Sequence, residues 1–412
     1  MDQDRRKFIQ RTTALGAAGL LPGAMPYLAR AADNIKLGSV LDRSGNFDAY
    51  GKPMDHAERL AVDEINDSGG LGGRMVEIIA YDTQSDMALY TQYGQQLARR
   101  DKVDVVHGGI LSASREAIRP TLRKSKIPYF YNVLYEGGVC DRNIFCTGVT
   151  PAQQVEVLIP EAIKRWGKSA YILAADYNYG QITAKWVQQY LRENGADAVQ
   201  TDFFPLDVSD FSATITKIQN AAPDMVISVL VGGAHLSFYR QWAATGMNTR
   251  IPMASTTLGA GNEHIVLTPE EGDGILVAYN YAKTGKSSAN RAFLQKWESK
   301  YGAGSTDSIH EIAVSQYQGI KLWAEAVRQA GGTEQGPLIS ALESGIQVEG
   351  PSGLVTIDPI THHAVLDVHV MELQAQQLTV VESFPQRQPV DTQTVCNLKE
   401  NPDDNQQYEL GT

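Results

Sequence analysis

A surplus of positive charge, a second long apolar run, cysteine in quantity and catalytic signatures are all missing from this 412-residue chain. Its 36 Lys and Arg against 47 Asp and Glu leave a net charge of −11, which repels nucleic acid and anionic lipid. Beyond the first thirty-odd residues no segment has about 18 consecutive apolar residues, so nothing there is expected to enter a bilayer. The three cysteines, Cys140, Cys146 and Cys396, lack zinc-ligand spacing. No G-x-S-x-G occurs, Ser112 has no base in its own segment, and His107 reads as the end of a strand. The chain is therefore not expected to be an enzyme. The run from Gly69 to Arg74 follows a helix rather than a strand, which does not fit a phosphate loop. His363 and His369 share strand parity but reach poorly toward one ion, so neither metal nor cofactor is expected.

The first residues read as an address. Arg5-Arg6-Lys7-Phe8-Ile9 precedes a mildly apolar, Gly/Ala-rich run from Thr12 to Leu28. This is the pattern of a twin-arginine export signal, and Ala29-Arg30-Ala31 offers small residues for cleavage. Cleavage after Ala31 removes five cationic and two acidic residues, taking the net charge from −11 to −14. The expectation is a soluble periplasmic protein that folds before export. In such an oxidising compartment three cysteines make one disulfide and leave one thiol.

From Asn34 onward, short β-rich runs alternate with helical periods, the pattern of an α/β fold with parallel sheets and helices on both faces. Ile35 to Leu41 reads as the first strand, Pro53 as a helix start, and Ile127 to Asn132 as a strand late in a first lobe. A second series starts at Ala170. Helices near 287–301, 309–330 and 336–344 follow, then short strands from Ile346 to Val381 punctuated by turn residues. Some 380 mature residues imply roughly two lobes. The expected division is a signal peptide over 1–31, a first lobe from 32–151 and 282–349, a second from 152–281 and 350–382, and a surface tail over 383–412. A chain crossing three times between two doubly wound lobes makes a hinge, with Gly148, Tyr279, Tyr281 and Gly350 as its expected positions.

Ligands of open α/β sheets bind at the carboxyl ends of the strands. Four segments there carry suitable residues. Gly108-Gly109 leads into Ser112, Ala113 and Ser114 at a helix start, where N–H groups favour a carbonyl oxygen or carboxylate. The strand ending near Asn132 delivers Tyr131, Val133 and Tyr135 to one face at period two. Tyr177 and Tyr179 close the first strand of the second lobe, and Gly232-Gly233 another, where glycine lets backbone approach a ligand. Serines that only cap a helix, and tyrosines that are only half-buried, are the plain alternatives for these positions.

These residues carry a resemblance. "AERLAVDEINDSGGLGGR", "GGILSASREAI", "YNVLYEGGVCDRNIFCTG", "ADYNYG", "APDMVISVLVGG", "AYNY" and "GPSGLVTIDPITHH" resemble the type I periplasmic solute-binding proteins of the branched-chain amino-acid class. Within that class the "YEG" segment is similar to the urea- and short-chain-amide-binding branch. The resemblance implies ligand contacts at Ser112, Ala113, Ser114, Tyr131, Val133, Tyr135, Tyr177, Tyr179, Gly232 and Gly233, and a hinge crossing near Tyr279 to Tyr281. It also implies capture of a small solute between two closing lobes and delivery to an ABC permease in the inner membrane. Ile110 and Leu111 stand where the amide branch often has an aromatic or hydroxyl residue. Asn132, Val133 and Leu134 replace its more usual segment between the tyrosines. Both changes make the pocket more apolar and suit a larger amide. An amino-acid ligand needs an anion for its ammonium, and the nearest acids are Glu136, Asp176 and Glu263. Urea or a small amide is therefore expected ahead of a branched-chain amino acid or a small carboxylate. A sensor reporting to a membrane receptor is a third reading. For the disulfide, Cys140 with Cys396 closes the longer loop and constrains the unfolded chain more; Cys140 with Cys146 is the local alternative.

Overall fold

Strands covered on both faces are apolar at nearly every position, and the first strand shows it. In the computed structural model, which describes residues 33–409, β1 (Ile35–Leu41) buries every side chain except that of Lys36, which is partly exposed. The expected signal peptide lies outside the described residues. After β1 come α1 (Asp48–Asp67), β2 (Val76–Asp82), α2 (Met87–Gln96), β3 (Val105–Gly108), α3 (Ser112–Lys124), β4 (Tyr129–Tyr131), β5 (Val139–Asp141) and β6 (Ile144–Cys146). Strands β2-β1-β3-β4-β6 form one sheet in which every pairing is parallel.

The second series is α4 (Pro151–Trp166), β7 (Ser169–Ala175), α5 (Asn178–Glu193), β8 (Asp197–Phe204), α6 (Ser212–Ala221), β9 (Met225–Val229), α7 (Gly233–Ala244), β10 (Met253–Ser255), α8 (Glu263–Val266), α9 (Pro269–Gly272) and β11 (Leu276–Tyr279). There follow α10 (Ser288–Tyr301), α11 (Glu311–Ala330), α12 (Gln335–Leu342), β12 (Gln347–Gly350), β13 (Gly353–Ile357), β14 (Ala364–Gln374), β15 (Gln377–Arg387), α13 (Val390–Gln393) and β16 (Asn405–Gln407). The second sheet runs β12-β13-β14-β11-β10-β9-β7-β8, with β15 beside β14. Its β7 to β11 part is parallel, and β12 to β15 are antiparallel additions.

The chain leaves the first sheet after β6, leaves the second after β11, and re-enters it through β12 and β13. Between the last two passages, α10 and α11 pack on α1: Lys321 and Tyr317 both reach Glu64, at 2.9 and 2.7 Å, and Gln316 donates to the buried Glu58 at 3.0 Å. Gly148 lies on the first passage, where an added Cβ would come within 2.2 Å of the Val133 carbonyl carbon. Gly350 lies on the third, against the Gln318 side chain. On the second, the Tyr279 hydroxyl donates to the Leu258 carbonyl at 2.8 Å and that of Tyr281 to Asn290 at 3.1 Å.

Four local features differ from the sequence reading. Pro53 sits inside α1, which starts five residues earlier at Asp48; the Ala49 carbonyl that proline cannot serve accepts instead from Asn262 at 3.4 Å. The strand expected over 127–132 is three residues long. The late strands include a hairpin of two 11-residue strands, β14–β15, closed by Ala375 and Gln376 at φ of 48° and 63°. Residues of this type give no turn signal, since paired positive φ angles usually call for Asn or Gly.

The expected surface tail is the fourth difference. Its first residues complete β15 to Arg387, and the rest is anchored. Asp391 is buried and accepts from the Thr150 hydroxyl and the Ala152 N–H at the start of α4, at 2.9 and 3.2 Å. Strand β16 pairs antiparallel with β5, and Cys140 is joined to Cys396 across 256 residues, leaving Cys146 a buried thiol. Cys396→Ser should lower unfolding free energy by about 2–5 kcal/mol, read from denaturant melts, whereas the same melts of Cys146→Ser should show no loss of this covalent restraint.

Candidate functional site

The site begins where β3 ends. Gly108 and Gly109 have φ of 143° and 82°, and a Cβ on Gly108 would strike the Val40 carbonyl oxygen at 2.3 Å. Glycine is required there, and it turns the chain so that Ile110, Leu111 and Ser112 open α3 toward the second sheet. The Ser114 hydroxyl donates to the Leu111 carbonyl at 2.7 Å and accepts the Ile110 N–H at 3.2 Å. Ser114 thus shapes the loop and does not line the cavity described next, nor does Ala113.

Ser112 does. Its hydroxyl donates to Glu136 Oε2 at 2.5 Å, while Glu136 Oε1 accepts from Arg115 at 3.0 Å and from Asn178, at the start of α5, at 3.3 Å. Arg115 and Glu136 are both wholly buried. The guanidinium lies 5.0 Å from the Tyr131 ring centre and 4.5 Å from that of Tyr135, within the range of cation–π attraction. Although burial works against its charge, Glu136 and Glu116 hold the Arg115 pKa well above its ordinary value.

Facing Ser112 is a cavity of only about 30 Å³, well below the volume of an open ligand pocket. Phe47, Tyr50, Tyr131, Tyr177 and Tyr179 wall it with five rings, and Ile110, Leu111, Val133, Val231 and Ile312 complete an apolar lining. Polar groups are few: Ser112, Thr257 and the ring hydroxyls, of which those of Tyr50, Tyr131 and Tyr179 are already engaged. Tyr131 donates to the Ile110 carbonyl at 2.6 Å, and Tyr179 exchanges a hydrogen bond with Thr256 at 2.9 Å. Burial raises the Tyr50 and Tyr177 pKa values well above normal, so both hydroxyls stay neutral.

The sequence-predicted residues thus converge in part. Ser112, Tyr131, Val133, Tyr177 and Tyr179 line the cavity together. Gly232 stands just behind: its N–H donates to the Tyr50 hydroxyl at 3.4 Å and an added Cβ would sit 3.0 Å from Phe47. Gly233 starts α7 outside the lining. Tyr135 is also outside it. The chain leaves strand geometry after Tyr131, period two lapses, and the Tyr135 ring stacks on His363, to which its hydroxyl is bonded.

Three acids were candidates for an ammonium partner, and each is differently occupied. Glu136 serves Arg115 and Ser112. Asp176 is exposed and accepts from Gln181. Glu263 accepts from His235 Nε2 at 2.8 Å and from the N–H groups of Gly259 and Gly261 at 2.7 and 3.0 Å. Burial alone would raise its pKa, but His235 and these N–H groups hold it down at about 2. The histidines once considered for metal are likewise paired, His363 with Tyr135 and Thr361, His369 with Ser383.

Residues 34–377 match the family described as periplasmic binding protein. The chain belongs to that family. This binding protein is 21% identical over 353 residues to Leu/Ile/Val-binding protein homolog 6 of Brucella melitensis, a match covering 83% of this chain and 88% of the other. In structure it is similar to a solute-binding protein of an ABC transporter from R. palustris in complex with 4-hydroxybenzoate, with a TM-score of 0.77, 24% identity, and coverage of 87% and 98% of the two chains. The substrate-binding protein of the Streptococcus pneumoniae branched-chain amino acid transporter, in complex with isoleucine, superposes with a TM-score of 0.73 at 22% identity, covering 85% and 99%. These relatives are solute-binding proteins and not enzymes, and the α/β architecture is common to them and this protein.

Phe47, Tyr50, Thr257 and Ile312 escaped the sequence reading of this binding protein. The first two follow the carboxyl end of β1, so the rule that found the other loops applies to them as well. Ile312 comes from the first turn of α11, with no sequence cue. Arg115 also escaped, as an ordinary helix cation. Glu136→Gln leaves Arg115 buried without its main anion and should cost about 3 kcal/mol, measurable as a lower urea midpoint at unchanged slope.

Proposed function

We propose that this periplasmic binding protein is the solute-capturing component of an ABC uptake transporter, and that its ligand is a small neutral carboxamide with a flat apolar body. The observation that carries the ligand class is the Ser112 hydroxyl, whose proton is committed to Glu136. Toward the cavity Ser112 therefore offers lone pairs, which suit an N–H donor. The first turn of α3 offers N–H groups, which suit a carbonyl oxygen. A carboxamide supplies both. A carboxylate would face an accepting serine backed by the Glu136 carboxylate, and an amino acid's ammonium finds its possible anions already engaged. Urea satisfies the polar groups but leaves the rings empty, and its few heavy atoms cap binding at about −6 kcal/mol.

The five-ring wall supports a second reading, an aromatic carboxylate, as in the R. palustris protein of the same fold that holds 4-hydroxybenzoate. In either case the solute enters between the two sheets, and the passages at Gly148, Tyr279–Tyr281 and Gly350 bend as the lobes close over it. A leader carrying Arg5-Arg6 delivers the chain folded to an oxidising compartment, in keeping with its disulfide. Lysine at both positions should abolish recovery in the periplasmic fraction; undiminished recovery would overturn that route.

A thermal-shift panel of the ligand-stripped mature protein tests the ligand class, since binding to the native state raises the melting temperature. Benzamide and isobutyramide should raise it most, acetamide and urea less, and benzoate, 4-hydroxybenzoate and isoleucine not at all. Shifts with the benzoates alone would establish the second reading; shifts with isoleucine alone would end both. Tyr177→Ala should weaken binding of the active solute by roughly 1–3 kcal/mol.

A further inference from the structure

The ring-walled pocket is not the largest void in the fold. A second cavity, of about 600 Å³, lies on the other side of the first turn of α11 and shares no lining residue with the first. Ile312 lines one and Glu311, its neighbour in the chain, lines the other. Gly259 and His264 contribute from the region after β10, Tyr279 and Tyr281 from the second passage, and Leu294 from α10.

Glu311 is 3% exposed, and neither of its carboxylate oxygens has a hydrogen-bond partner. An ionised carboxylate in that position is costly unless paired, and burial pushes its pKa up to about 8. The groups that face it are His310 beside it, His264 of α8, Lys283 and Asp307 at the rim, Tyr279 and Tyr281 of the passage, and Tyr179 from the first pocket. None pairs with it: Lys283 is held by Asp307 at 2.7 Å, and burial lowers both imidazoles, His310 to about 4. Among the described residues no group of three His, Cys, Asp or Glu side chains is placed to hold a metal ion.

We propose that this cavity is a second binding site, for a small organic cation whose ammonium group pairs with Glu311 while its carbon body lies among Tyr279, Tyr281, Leu294 and Ile309. As the cation enters, Glu311 loses its proton to solvent, so that a neutral acid becomes half of a buried ion pair and about one proton is released per cation near neutral pH. Affinity therefore rises with pH until the free acid is already ionised. Tyrosine rings add attraction for the positive charge.

Calorimetric titration of the mature protein with benzylammonium, and with benzyl alcohol as its neutral isostere, tests the site. The cation should bind and the alcohol should not, with affinity rising from about pH 6 to about pH 8 and proton release read from buffers of different ionisation heat. Glu311→Gln mimics the protonated acid, so it should melt no lower than the parent at neutral pH, yet bind the cation roughly tenfold or more weakly without releasing protons. Tyr177→Ala, in the first pocket, should leave cation binding unchanged. Equal binding of the alcohol, an unaltered affinity in Glu311→Gln, sensitivity to Tyr177→Ala instead, or no binding heat at millimolar cation would each overturn the proposal.

Discussion

Arg115 and Glu136 form a fully buried ion pair around which the binding face of the first sheet is arranged. Removing two charges from water is expensive, and the cost falls as the remaining donors and acceptors find partners; all but Arg115 Nη1 do so. Here the partners are the residues that define the site. Ser112 gives its proton to Glu136, Tyr131 and Tyr135 offer their rings to Arg115, Asn178 reaches in from the second series, and Gln407 of the tail accepts from Arg115. The polarity that Ser112 presents to the cavity is thus set by its bond to a buried ion pair. That is the sense in which the pocket is preorganised: its donor and acceptor pattern is fixed by the protein before anything binds.

The first turn of α11 divides the space between the sheets. One residue closes an apolar pocket and the one before it carries an unpaired carboxylate into a larger void. Helix α11 is held on α1 by Lys321 and Tyr317 against Glu64 and by Gln316 against Glu58. The partition is therefore fastened to α1, on the first sheet's side of the molecule. Acidic side chains near the two cavities differ in one respect that geometry explains. Glu263 is surrounded by an imidazole and backbone N–H groups and stays ionised, whereas Glu311 has burial and nothing else.

The alternation of apolar strands with helical periods made the α/β architecture legible, because strands covered on both faces leave an unmistakable apolar run. The loops at Gly108–Ser112, Tyr131, Tyr177–Tyr179 and Gly232 were legible for a related reason: binding sites of such sheets gather at strand carboxyl ends. Tyr135 was misplaced because period-two reasoning was extended past the point where β4 stops. Phe47 and Tyr50 were open to the same rule but drew no attention beside the glycine loops. The positive φ angles at Ala375 and Gln376, and the neighbour that rescues the Ala49 carbonyl above Pro53, depend on tertiary contacts, and no local pattern announces them. The tail looked aperiodic because its order comes from Asp391, Cys396 and a three-residue strand, each anchored to a distant part of the chain.

That anchoring bears on synthesis. Cys140 belongs to β5, whereas its partner Cys396 is made 256 residues later, after both sheets have been completed. A polypeptide cut short by premature termination or by clipping in the tail can build most of its core and still carry Cys140 as an unmated thiol. The disulfide is therefore a molecular proofreading mark: a thiol-reactive label that stains Cys140 under native conditions identifies chains that never received their last segment.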